Sequence, residues 1–226
     1  MTRKLFIVFA LSVFLAACHG QPEAAIVGSV YSDQVVNALQ QRLDSDNKKR
    51  APLTFDSGAT AQTCGEYLRL IAVSALKEDV NNQIARNEYL LCDVLAMIGD
   101  RKLGAGRQGS AFGQTLATRL DLRSFPSSLF QTLDERKFSL SHLDAKAVKV
   151  DSTGVTYETK DWHFRLELVA TLDVNNNGKA DWVLWLADEA KSGNYRQYQT
   201  LIVPDVSDTG PMSATPYTAT MSAKRK

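Results

Sequence analysis

Nine consecutive residues, 173–181, place oxygen-bearing side chains at the spacing of a cation-binding loop. Calcium takes about 6–8 oxygen ligands, and a glycine, here Gly178, permits the sharp turn between them. A backbone carbonyl just after the glycine supplies one further oxygen. The spacing therefore predicts a calcium site with five ligand-bearing residues: Asp173, Asn175, Asn177, Lys179 (through its backbone carbonyl) and Asp181.

The loop resembles the first part of the EF-hand consensus, D-x-[DN]-x-[DN]-G, but Leu184 stands where an EF-hand has its bidentate Glu. Because the flanks are strand-like, the closer resemblance is to EF-hand-like loops between strands in extracellular calcium modules, where an Asp at the ninth position, here Asp181, is a ligand. With only two carboxylates, the expected calcium is structural and weakly bound, with a dissociation constant on the order of 10⁻⁴–10⁻³ M. A plain hairpin turn at Asn177 and Gly178 stays open as the alternative, because Asn-Gly favours type I′ turns.

Few residues could perform acid–base or nucleophilic catalysis. His163 follows Asp161 on the polar side of a predicted strand, and Asp188 and Glu189 are candidates for a carboxylate pair. No G-x-S-x-G or H-E-x-x-H motif occurs in the chain. These residues favour a non-enzymatic protein, and a hydrolase is the alternative.

The N-terminus has the organisation of an export signal. A short basic stretch precedes an apolar run at 5–14, which ends in Leu-Ala-Ala-Cys at 15–18. This ending resembles the bacterial lipobox, which implies removal of residues 1–17 and lipid attached to Cys18. Residue 19 is His rather than Asp, so we expect a lipid anchor in the outer membrane, facing the periplasm. An ordinary secretory signal is the alternative. With this location, the sequence favours a non-enzymatic protein of the cell envelope; the alternative is a hydrolase of envelope polymers with its site between helices and sheet.

The composition is that of a globular protein body. We assign residues 18–31 to a tether that connects this body to the lipid anchor. Hydrophobic residues make up 44% and charged residues 23% of the chain, with a formal net charge of +1. No strong basic patch for nucleic acid is present. Expected partners are the membrane, through the lipid, and another envelope protein or polymer.

Residues 32–140 show helical periodicity and contain Cys64 and Cys92. One continuous helix would hold these cysteines roughly 40 Å apart, beyond disulfide reach. A helical hairpin that turns near residues 79–82 would bring them together. We therefore predict a helical hairpin or bundle with a Cys64–Cys92 disulfide, formed in the oxidising periplasm. Two separately buried thiols remain the alternative.

From residue 145 the periodicity changes to two, which is typical of strands. The alternating apolar residues of 162–172 are predicted to share one face, and 182–187 is apolar on both faces and should be central. Short turns between these runs predict an antiparallel β-meander over 145–204, packed against the helices, and a loose tail over 205–226. The predicted fold class is α+β.

Overall fold

A sheet of eight strands organises the chain in the computed structural model, which describes residues 28–106 and 111–218. The fold is mixed α+β with a large, mostly antiparallel sheet and few helices, in agreement with the predicted class. The strands are β1 (Gly28–Val30), β2 (Leu53–Thr54), β3 (Thr60–Ala61), β4 (Gly104–Ala105), β5 (Leu120–Asp121), β6 (Val148–Val150), β7 (Gly154–Glu158), β8 (Trp162–Leu172), β9 (Asp181–Ala190), β10 (Arg196–Val203), β11 (Met212–Ser213) and β12 (Thr215–Pro216). The α-helices are α1 (Asp33–Gln40), α2 (Arg42–Asn47), α3 (Cys64–Ile71), α4 (Val80–Ala85), α5 (Leu90–Ile98) and α6 (Phe112–Arg119), and the 3-10 helices span Arg86–Tyr89, Leu122–Ser124, Phe130–Thr132 and Leu140–His142.

The predicted meander is confirmed. Strands β6 to β10 follow one another as antiparallel neighbours, and β12, β1 and β4 extend the sheet at its edges. Strand β9 lies between β8 and β10, and its successive residues Val183 and Leu184 are both fully buried on opposite faces. Its two apolar faces therefore reflect a sheet that is covered on both sides.

A bulge in β8 changes which of the two cores its alternate side chains face. The register shifts between Leu168 and Ala170, so Leu168 faces the core beneath α6, whereas Ala170 faces the core beneath α1 and α5. An extra residue in one strand turns the following side chains to the other face. The prediction that the apolar residues of 162–172 share one face is therefore wrong beyond Leu168.

The predicted helical hairpin is not confirmed. Helix α3 ends at Ile71, and residues 72–79 have no regular helix before α4 begins. Asp79 does not lie at a hairpin turn; its carboxylate accepts the Asn82 N–H (2.8 Å) and caps α4. Short Asx side chains compete with the backbone in this way, so a polar cluster can begin a helix as readily as it can end one.

The predicted disulfide is confirmed, although a different arrangement brings the cysteines together. Cys64 at the start of α3 and Cys92 in α5 are bonded, with their Cα atoms 5.2 Å apart. They lie in a small third core with Phe55 and Tyr89, which also packs the β2–β3 pair inside the region predicted to be helical.

Both ends of the described chain belong to the sheet. Gly28–Val30, assigned above to the tether, is strand β1 and pairs with β8. A Cβ at Gly28 would lie 2.0 Å from the Thr171 carbonyl oxygen, so only glycine permits this approach. In the expected tail, β11 and β12 pair with β5 and β10, and Ala214 is fully buried.

The predicted signal and lipidation site, residues 1–17 and Cys18, lie outside the described residues. Among the residues that are described, no helix combines the length and apolarity needed to span a membrane.

Candidate functional site

The predicted calcium loop connects β8 to β9, and its side-chain oxygens turn in towards its own main chain. The Asp173 carboxylate accepts the N–H groups of Asn177 (3.1 Å) and Gly178 (2.7 Å). The side-chain oxygen of Asn175 accepts the Asn177 N–H (3.0 Å), and that of Asn177 accepts the Lys179 N–H (2.9 Å). Desolvation acts to raise the pKa of Asp173, but the main-chain donors outweigh it and hold the pKa below its ordinary value.

Asp181 has a separate role at the base of this loop. It is fully buried, and its two carboxylate oxygens accept the Val174 N–H and the Asp205 N–H, each at 2.8 Å. Asp181 is the first residue of β9, so it connects this strand to the start of the loop at Val174 and to the segment that follows β10 at Asp205. Asp205 adds a side-chain contact, because its carboxylate accepts the Asn177 amide N–H (2.6 Å). Sequence reasoning missed Asp205, since it lies 24 positions beyond the loop.

The oxygen atoms of the loop are ligands of the kind that a hard cation prefers, but few of them carry a negative charge. Each amide or carboxylate oxygen of Asp173, Asn175 and Asn177 keeps a further lone pair after its hydrogen bond to the loop. Across residues 28–106 and 111–218, no three or more His, Cys, Asp or Glu side chains are grouped so as to hold a metal ion. The loop can therefore offer mainly neutral oxygens and the Asp173 carboxylate.

The residues weighed for hydrolysis are not brought together as an acid–base pair. Asp188 is buried on the α6 side of the sheet, where it accepts the Ser128 N–H and hydroxyl, both at 2.6 Å. Burial raises its pKa above the ordinary value. Glu189 lies on the opposite face, accepts the Tyr198 hydroxyl (2.7 Å) and is paired across the strands with His163. Consecutive strand residues point to opposite faces, so these two carboxylates cannot act on one substrate atom.

A groove of about 890 Å³ lies between β10 and the segment that runs from the end of α3 into α4. One wall is formed by residues 71–79 with part of α4, and the other by residues 195–200. This volume is within the range of about 300–1,000 Å³ that is common for ligand sites. Aromatic and aliphatic side chains supply much of its lining: Tyr67, Ile71, Val73, Leu76, Tyr198 and Tyr217.

A buried polar network supports the groove. Asp93 in α5 is fully buried and accepts the Tyr67 hydroxyl (2.8 Å), the Thr200 hydroxyl (2.7 Å) and an N–H of Arg86 (2.5 Å). Burial acts to lower the pKa of Arg86, but the Asp93 carboxylate outweighs it and holds that pKa above its ordinary value. Burial raises the pKa of Tyr67. The network fixes α3, α5 and β10 relative to one another, so the groove is preformed.

Exposed apolar side chains stand on the groove's helical side. Val73 lines the groove and is 82% exposed, while Val80 and Ile84 on α4 are 41% and 54% exposed. Val80 and Ile84 are four residues apart and share one helix face. Exposed apolar side chains that cluster in one segment are typical of contact surfaces, whereas scattered ones need no explanation.

Sequence reasoning missed this groove. Its two walls are more than 100 positions apart in the chain. The spacing of residues within either segment does not indicate that the other segment lies opposite it. The helical wall lies inside the region that was predicted to form a helical hairpin. Comparisons with family models, curated proteins and solved structures find no significant match for this chain.

Proposed function

We propose that this chain is a non-enzymatic, lipid-anchored binding protein of the bacterial cell envelope, and that the groove beside β10 contacts its partner. The observation that carries this proposal is a preformed groove with aromatic and aliphatic walls, bordered by the exposed side chain of Val73. Concave sites with apolar walls and a few fixed polar groups are the usual places where proteins bind other molecules.

The proposed location rests on the sequence of the N-terminus. A lipobox-like ending at Cys18 follows a short basic stretch and an apolar run, which is the order of a bacterial lipoprotein signal. The Cys64–Cys92 disulfide supports an oxidising compartment such as the periplasm, because structural disulfides are rare in the cytosol. A test is metabolic labelling with radioactive palmitate, which the unmodified chain is expected to incorporate and the Cys18→Ala variant is not; an unlabelled chain, or equal labelling of the variant, would contradict a lipid anchor on this residue.

Calcium is proposed as a structural stabiliser of the β8–β9 loop. The support is the gathering of the side-chain oxygens of Asp173, Asn175 and Asn177 over one short segment, with the Lys179 carbonyl and Asp181 completing the set proposed from spacing. When bound, the cation would neutralise carboxylate charge and hold the turn; Asp181 already fixes the base of the loop without it.

The binding function is tested with photo-crosslinking in intact bacteria. A benzophenone amino acid replaces Val73 on the groove, and the matched control replaces Val150, an exposed apolar residue on β6 outside the groove. The expected result is a defined adduct from position 73 and none from position 150. No adduct at position 73, or the same adduct from both positions, would contradict the proposed site.

A further inference from the structure

Among the residues that the structure describes, part of the outer edge of β10 along the groove has no partner strand. On the side away from β9, it pairs with β12 at residues 201–202, and the Tyr217 N–H then donates to the Thr200 carbonyl (2.8 Å). Main-chain groups alternate sides along a strand, so those of Tyr198 and Arg196 point to the same side as those of Thr200. Within the described parts of the chain, no strand pairs with these two residues on that side.

A second hydrogen bond fixes this alternation independently. The Ala190 N–H donates to the Tyr195 carbonyl (3.1 Å), so the odd-numbered residues of this strand region face β9. The N–H and C=O groups of Gln197 and Gln199 are therefore used inside the sheet. Those of Arg196 and Tyr198 face the groove, where both residues are lining residues.

The open edge presents a chemical pattern that another extended chain matches. Each of Arg196 and Tyr198 offers one donor and one acceptor, and the two sets are spaced by roughly 7 Å, which is the repeat of a strand. The facing wall adds apolar contacts from Ile71 and Val73. The groove thus favours a peptide with apolar side chains at alternate positions.

We propose that the groove's partner is an extended peptide segment of another protein, which adds to the open edge of β10 as a further strand. This addition continues, along the same edge, the pairing that β12 already makes at residues 201–202. In this mode the main-chain hydrogen bonds provide affinity, and the walls select alternate side chains. The inference rests on the proposed function, because it names the kind of partner that the same groove takes.

The test uses the full chain and a fluorescein-labelled octapeptide, Ser-Val-Thr-Val-Thr-Val-Ser-Lys, in fluorescence anisotropy. Two further probes carry backbone N-methyl groups either on the three valines or on the two threonines and the second serine. Only one set of peptide N–H groups can face β10, so one methylated probe is expected to bind about tenfold more weakly, while the other binds like the parent. Hydrogen exchange should slow at the amides of Arg196 and Tyr198 and stay unchanged at Gln197 and Gln199.

A matched pair of variants addresses the edge from the protein side. Tyr198→Pro removes the outward N–H, and edge strands tolerate proline where that group is unpaired. Tyr198→Ala removes the ring but keeps the N–H, so it is expected to bind the parent peptide about tenfold more tightly than Tyr198→Pro. If Tyr198→Pro does not fold, as judged by circular dichroism, the two methylated probes decide the question alone.

The proposal would be overturned by a lack of binding of the parent peptide, by equal binding of both methylated probes, or by protection of amides away from Arg196 and Tyr198. Binding that appears only after truncation beyond Thr218 would also overturn it, because the chain's own terminal residues would then be the occupant. An adduct at position 73 without peptide binding would leave the binding function standing and reject the strand mode alone.

Discussion

The Thr200 hydroxyl donates to the Asp93 carboxylate at 2.7 Å, although 107 positions separate the two residues. This hydrogen bond joins β10 to α5 directly beneath the groove. Asp93 also accepts from Tyr67 and Arg86, so one buried carboxylate connects the helical wall to the sheet. This carboxylate is fully buried, so its hydrogen bonds hold the elements around the groove together in the absence of solvent.

We expect Asp93→Asn to destabilise the protein by about 3–5 kcal/mol, because it leaves the Arg86 guanidinium, whose side chain is only 15% exposed, without its counter-charge. The measurement is urea unfolding followed by tryptophan fluorescence. Asp208→Asn, an exposed carboxylate, is the control and should change the free energy of unfolding by less than about 0.5 kcal/mol. Equal effects of the two substitutions would contradict the role given to Asp93.

Two helical glycines offer a matched pair of alanine substitutions. A Cβ at Gly113 in α6 would lie 2.1 Å from the Gly154 carbonyl oxygen and 2.2 Å from that of Asp151, whereas a Cβ at Gly65 in α3 meets nothing within 4 Å. We expect Gly113→Ala to lower the thermal midpoint, because backbone must move. Gly65→Ala should raise the stability by about 0.5–1 kcal/mol, since alanine loses less entropy in a helix. Thermal unfolding of both variants checks the opposite signs.

Calcium at 10 mM is expected to stabilise the full chain by about 1.4 kcal/mol if its dissociation constant is on the order of 1 mM. For a domain of this size, that stabilisation raises the thermal midpoint by roughly 3–6 °C. Asp173→Asn removes one of the two carboxylates in the proposed set and should abolish most of the rise. The measurement is differential scanning calorimetry with calcium, with magnesium and with chelator.

Asp181→Ala is informative in a different way. Because both of its oxygens accept buried or half-buried main-chain N–H groups, we expect this variant to be less stable even in chelator. Asp173→Asn should have a much smaller effect in chelator, because its carboxylate is at the loop surface. A thermal midpoint of the unmodified protein that is the same with and without calcium would reject the cation.

Glu158 should contribute to acid sensitivity. Hydrogen bonds and attraction from Lys149 and Lys191 lower its pKa from 4.5 to about 2. A carboxylate with a lowered pKa stabilises the folded state fully above the unfolded pKa, and this contribution disappears as pH falls through the folded pKa. The stability difference between the unmodified chain and Glu158→Gln is therefore expected above pH 4.5 and should vanish by about pH 2.

The Glu158 prediction is checked by urea midpoints at intervals between pH 7 and pH 2. Glu78→Gln serves as the control, because Glu78 is exposed. A constant difference across the whole range would show that the Glu158 side chain stabilises the fold through packing rather than through its charge.

The sheet was largely predictable because the signal for a half-buried strand is local. Alternation along β8 and the continuous apolar run of β9 reflect which faces are covered, and the structure confirms their order and pairing. The bulge at Leu168 was not predictable from alternation, since apolar residues on both sides of it fit either face. The prediction of a helical hairpin was not confirmed for a similar reason. Asp79 can cap a helix or end one, and sequence spacing does not distinguish these roles.

The candidate sites divide in the same way. The loop at 173–181 is a short-range pattern, so its oxygens could be recognised directly, but the assignment of Asp181 to buried main-chain N–H groups depends on where residue 205 passes. The groove is entirely a long-range feature. Tyr67, Thr200 and Asp93 meet only because α3, α5 and β10 pack together.

The amino-acid sequence by itself determined the meander, the Cys64–Cys92 pairing and the position of an oxygen-rich turn. Periodicity along the chain indicated the strands, the small number of cysteines indicated the pairing, and the spacing of Asp and Asn residues indicated the turn. Only the tertiary structure decided which carboxylates are buried, which edge of β10 lacks a partner strand among the described residues and where a groove forms. The physical reason is that burial and pairing depend on which elements pack against one another, and that choice is made by contacts between residues far apart in the chain.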